Sequence, residues 1–121
     1  MFNFETKEFD CKCDYECGLG YGDMNQDFVK RLDAARSIAG TPFSINSAVR
    51  CKRHNEKVGG SEVSSHLTGL AVDLRCLNSS DRFVIVNALI AVGIDRIGIG
   101  ENFIHCDCDP NKIAPCIFTY Y

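Results

Sequence analysis

The chain has 121 residues, enough for one compact domain with a real core. Hydrophobic residues make up 45% and charged residues 24%, the balance of a globular domain rather than a disordered one. A net charge of -3 argues against a protein held to nucleic acid by bulk electrostatics, and the longest apolar stretch, Phe83 to Val92, is far too short to span a membrane.

The start, Met1-Phe2-Asn3-Phe4-Glu5-Thr6, has neither a basic region nor an apolar one, so a secretory signal is not expected and synthesis in a cytoplasm is. Residues 1–22 carry Gly, Asp and Cys without a period and read as a loop-rich lead-in. A helix follows, capped by Asp23 or Asn25, with Phe28, Leu32, Ala35 and Ile38 at helical spacing and Gly40 and Pro42 as its stop. Alternation over Pro42 to Ser47 predicts a strand. Residues 50–65 are polar, contain Gly59-Gly60, and read as a long loop of the kind that carries function.

Leu70 to Leu74 alternates again. Leu70, Val72 and Leu74 face one way, Ala71 and Asp73 the other. Ser80 is expected to cap a helix from Asp81 to Val92 that stops at Gly93. Arg96 to Gly100 and Phe103 to Cys108 read as two strands around a turn, and residues 110–121 as an irregular tail. Two helices and four short strands predict a single α+β domain with its core in residues 23–109. The expected arrangement is a small antiparallel sheet with helices on one face and a site on the other.

Eight cysteines allow two readings. One is a set of disulfides. The other is reduced thiols, with a second metal site in the Cys11, Cys13, Cys17 cluster.

Two of the three histidines stand in informative company. His66 opens a segment that leads through Gly69 to Asp73, a carboxylate on a strand whose other face is apolar. Such a group is costly to bury without a cation or donors. In Phe103-Ile104-His105-Cys106-Asp107, alternation puts Phe103, His105 and Asp107 on one face. Two imidazoles and one carboxylate are the ligand set of a catalytic zinc, three protein ligands and an open position. The same residues admit a plainer reading, in which the histidines are ordinary core or surface residues and Asp73 pairs with Arg75, Arg50 or Arg96.

The wording around these residues discriminates between the two. Ser47-x-x-Arg50, Asn55, Gly59-Gly60, Ser64-Ser-His66-Leu-Thr-Gly69-Leu-Ala71-Val-Asp73 and Ile104-His105-Cys106-Asp107 closely resemble the zinc D-Ala-D-Ala metallopeptidases of the muramoyl-peptide type, subfamily A, with the hedgehog/DD-peptidase fold. The resemblance covers roughly residues 25–109. The lead-in, Phe9 with Cys11 and then Cys17-Gly18, is similar to that of small phage-borne members.

The resemblance implies zinc held by His66, Asp73 and His105. It implies that Arg50 binds a substrate carboxylate or the oxyanion, that Ser64 hydrogen-bonds substrate backbone, and that Gly59 and Gly60 let the loop approach closely. His54 matches no ligand position and reads as a loop residue. Many relatives carry a carboxylate three residues before the last histidine. This chain has Asn102 there, which cannot act as a base. Asp107 and Glu101 are the two candidate general bases, and Asp107 could instead orient a ligand histidine.

The activity so implied is hydrolysis of peptidoglycan stem or cross-link peptides by a monomeric phage or prophage endolysin. It would act at the cell wall after holin-type release, without binding nucleic acid or membrane. Two rival readings are a zinc-stabilised binding module without turnover and a thiol-rich redox or metal-storage protein.

Overall fold

The computed structural model describes residues 2–120. The first long helix, α1 (Gln26–Ala39), starts where Asn25 accepts a hydrogen bond from the Phe28 N–H at 2.9 Å. It closes at Gly40 and buries Phe28, Val29, Leu32 and Ala35. Ile38, expected on the same apolar face, is exposed. Full burial of a side chain such as Leu32 stabilises the fold by roughly 1.5–3 kcal/mol. The strand expected over 42–47 is shorter, β1 (Ile45–Ser47).

Residues 50–65 are not all loop. They contain a short helix, α2 (Lys52–Lys57), which carries His54. Its six residues are polar and leave no apolar period to read. Its cap is also unusual, because the Cys51 sulfur accepts from the His54 N–H. A 3-10 turn, Ser65–Thr68, leads into β2 (Ala71–Arg75). The next helix, α3 (Ser79–Ala91), begins two residues earlier than a cap at Ser80 would set it. Asn78 is the cap, accepting from the Asp81 N–H at 2.8 Å.

The hairpin β3 (Arg96–Ile99) and β4 (Phe103–Asp107) forms as expected. The tail does not stay irregular. Cys116–Thr119 forms β5, which pairs parallel with β3 and makes the sheet mixed rather than antiparallel. The strand order is β1-β2-β4-β3-β5. The class is α+β, with three α-helices and five strands among the described residues.

Val72 and Leu74 of β2, Ile97 of β3, and Ile104 and Cys106 of β4 share one core with the buried faces of α1 and α3. The lead-in joins it. Phe4 and Phe9 are buried, with ring centroids 5.4 Å apart, and Tyr21 packs edge-on against Phe9 at 5.6 Å. The alternate side chains of β2 and β4 turn to the opposite face, where the site lies.

Candidate metal centre

Strand register assembles this face. Ser47, Asp73, His105, Gly98 and Phe118 are successive partners across all five strands. The neighbouring row runs Ala71, Asp107, Arg96, Cys116. Gly98 sits beside His105 because a side chain there would collide with the rings of Phe118 and Tyr120, 2.6 and 2.7 Å from where its Cβ would stand. His66 arrives from the 3-10 turn, and its backbone carbonyl accepts from the Arg50 N–H at 2.9 Å.

Three donor atoms converge. Asp73 Oδ1 lies 3.3 Å from His66 Nε2 and 2.9 Å from His105 Nδ1. The outer ring atoms are also engaged. His66 Nδ1 is 2.7 Å from the Ala48 carbonyl oxygen, which can only accept, so this nitrogen carries the proton and Nε2 is left bare in the neutral ring. His105 Nε2 is 2.7 Å from Asp107 Oδ2, which leaves Nδ1 facing Asp73. Both histidines are buried.

The donor set fits zinc. Bonds of about 2.0–2.2 Å to nitrogen and oxygen in a tetrahedron place ligand atoms roughly 3.3–3.6 Å apart. The 3.3 Å spacing matches, and the 2.9 Å one is that of a hydrogen bond and would open by about half an ångström. Each imidazole has the outer hydrogen-bond partner that fixes a ligand histidine. In the metal-free protein this crowding is settled by protons. Burial alone would raise Asp73, but the hydrogen bond from His105 and the attraction of both imidazoles in their charged form overcome it and hold the carboxyl well below the usual range. Burial alone would lower His105, but hydrogen bonds to Asp107 and Asp73 win and raise it.

The donors lie in a cleft of about 370 Å³. Arg50, Ser64, Gly59 and Gly60 line it, and so does Asp107. Arg50 is anchored on three sides: Nε to Ser47 Oγ at 3.0 Å, Nη1 to Asn55 Oδ1 at 3.3 Å, and Nη2 to Asp73 Oδ2 at 3.4 Å. Gly60 is where the loop comes closest, since a Cβ there would overlap the Asn55 side chain and press on Arg50. Ser64 caps the 3-10 turn, accepting from the His66 N–H at 3.3 Å.

The two carboxylates expected to act as a base are placed very differently. Glu101 is exposed in the turn between β3 and β4 and does not line the cleft. Asp107 is buried. Its Oδ2 meets both His105 Nε2 and Arg96 Nε, the latter at 3.1 Å, and its Oδ1 accepts from the Asp109 N–H at 3.1 Å.

Sequence reasoning named Arg96 only as a possible partner of Asp73, whereas it pairs with Asp107, and it missed Lys112, Phe118 and Tyr120; all four line the cleft. Phe118 and Tyr120 alternate in Ile117-Phe118-Thr119-Tyr120, a signal of a strand with one aromatic face. Burial, reinforced by Asp73 and Asp107, pushes the Tyr120 phenol up to about 12, so it keeps its proton at neutral pH.

A family model described as Peptidase M15 matches residues 2–107. The chain belongs to the peptidase M15 family, whose members are in general zinc-dependent metallopeptidases. The match takes in the lead-in as well as the core. No curated protein matches the chain. No helix among the described residues is long and apolar enough to cross a membrane.

Proposed function

We propose that the chain is a zinc peptidase that hydrolyses peptidoglycan stem or cross-link peptides near their D-alanine end, with His66, Asp73 and His105 holding the metal. One observation carries this reading: the three donors meet on the floor of a cleft that also holds an anchored arginine. A bound zinc supplies Lewis acidity toward a carbonyl oxygen and toward water.

The chain's own groups do the rest. The Arg50 guanidinium is fixed before substrate arrives and offers a planar, always-charged fork to a carboxylate or a developing oxyanion. Asn55 steadies the same loop by donating to the Ser61 carbonyl at 2.8 Å. Ser64 accepts from the His66 N–H and keeps its own O–H to offer to substrate backbone. The Tyr120 phenol retains a proton to donate within the cleft. Asp107 acts as a positioning residue: with both oxygens engaged, it holds His105 Nε2 and thereby aims Nδ1. Glu101 takes no part.

The proposal extends to a monomeric phage or prophage lysin, supported by the likeness of the lead-in to small phage-borne members. A second reading, a zinc-stabilised binding module without turnover, is favoured by one observation: no carboxylate lining the cleft is free of ligand or positioning partners.

Release of free amine from D-Ala-containing muropeptides separates the two. The assay compares zinc-loaded, chelator-treated and zinc-restored protein. The enzyme reading expects release that stops with chelation and returns with zinc. Muropeptide binding without amine release from any such peptide would establish the binding module instead.

A further inference from the structure

A second group of soft ligands lies outside the cleft. The sulfurs of Cys11, Cys13, Cys17 and Cys51 all lie within 4.8 Å of one another, and all four cysteines are free thiols. Three come from the lead-in. The fourth follows Arg50 directly and caps α2. We propose that these four cysteines bind a structural zinc ion, separate from the one in the cleft, that clamps the lead-in to the segment carrying Arg50.

Geometry and ligand chemistry support the assignment. Four thiolates around zinc, with bonds of about 2.3 Å, stand roughly 3.8 Å apart at the corners of a tetrahedron, inside the spread found here. Three of the four sulfurs also receive a backbone N–H. Cys51 N–H donates to Cys11 Sγ at 3.3 Å, Leu19 N–H to Cys17 Sγ at 3.5 Å and His54 N–H to Cys51 Sγ at 3.3 Å. The N–H groups of Cys17 and Tyr15 face Cys13. A neutral thiol is a weak acceptor, and an ionised, metal-bound sulfur a far better one.

The loop curls to make this possible. Glu16 adopts φ 52°, the only non-glycine residue among those described with positive φ. Such a conformation is uncommon outside glycine. Other contacts join the same two segments: Lys57 Nζ lies 2.9 Å from Asp14 Oδ2, and the Arg53 guanidinium lies 3.7 Å over the Tyr15 ring. Four protein ligands leave no open position, so the site is closed, as structural zinc sites are. Thiolate donors select zinc over magnesium or calcium.

The test is metal content of the full chain, purified under reducing conditions with zinc present. Two zinc ions per chain are expected, falling to one in the double variant His66→Ala/His105→Ala. X-ray absorption of that variant should show a shell of sulfur alone at about 2.3 Å. In Cys13→Ser/Cys17→Ser one zinc should remain, bound by nitrogen and oxygen. The wild-type protein and the histidine variant decide the matter even if the cysteine variant fails to fold. A wild-type zinc shell without sulfur, a sulfur-free shell in the histidine variant, iron in place of zinc, or disulfides among these cysteines under the same conditions would overturn the proposal.

Discussion

The two ligand clusters are built on opposite principles. In the cleft, Asp73 and His105 are neighbours across paired strands, and each imidazole is held from behind by the Ala48 carbonyl or Asp107. The ligands therefore stay in place by register and by outer hydrogen bonds. In the lead-in, the sulfurs sit on loops and at the end of a six-residue helix, and backbone N–H groups gather around them. A site on strands can leave one side open for substrate without collapsing. A site on loops needs a full set of ligands to hold its shape. The contrast suits the first cluster to the proposed reaction and the second to the proposed bracing.

That division has graded consequences. Replacing His66 or His105 by Ala should lower hydrolysis by on the order of 1,000-fold, as loss of an essential zinc ligand does, while the lead-in keeps its metal. Retention of activity in either variant would remove the cleft cluster from the chemistry. Arg50→Lys keeps the charge but loses the fork, and kcat/KM should fall by about 100-fold with zinc content unchanged.

Asp107→Asn should weaken zinc binding in the cleft by about 10- to 100-fold, the usual cost of losing an outer partner of a ligand histidine. Extra zinc should restore part of its activity. Glu101→Gln should leave rate and metal affinity unchanged. If added zinc restores nothing to Asp107→Asn at full occupancy, Asp107 handles a proton in the reaction.

Protonation gives a further prediction. The folded, metal-free chain binds its His105 proton more tightly than the unfolded chain does. That contribution to stability is fully present below the ordinary histidine value of about 6.5 and is lost as pH rises through the raised folded value. Zinc competes for the same nitrogen, so its affinity for the cleft should move the opposite way and weaken as pH falls. Calorimetric titration of the histidine cluster across this range would show both trends. A small effect, on stability alone, is expected at Asn25→Ala. Losing this cap should cost about 1 kcal/mol of stability and leave both metals in place.

Much of the fold and of the cleft could be read in the sequence, and the gaps have physical causes. Long amphipathic helices announce themselves, so α1 was legible from Phe28, Leu32 and Ala35. The strand pattern that set Asp73 and His105 facing away from the core was equally legible, because period 2 leaves no other choice. α2 was not, since Lys-Arg-His-Asn-Glu-Lys has no apolar face and its cap is a cysteine. β5 was not, since four residues after a proline give too short a run.

The three candidate donors of the cleft could be picked out by residue type and alternation, but only the resemblance of the surrounding motifs favoured a metal over a plain ion pair. Cys51 was not recognisable as a partner of Cys11, Cys13 and Cys17, because nothing local links positions so far apart. Only the packing of the lead-in against α2 brings them together. The state of Asp107 likewise lay beyond the sequence. Alternation put it on the metal face, but its engagement by His105, Arg96 and the Asp109 N–H depends on three separate parts of the fold.

Mass spectrometry of purified, D-Ala-containing muropeptides after incubation with the zinc-loaded chain tests the peptidase account at its root. The account predicts new fragments from cleavage beside D-alanine, absent after chelation and absent with His105→Ala. Unchanged muropeptide masses with a fully zinc-loaded protein would contradict it.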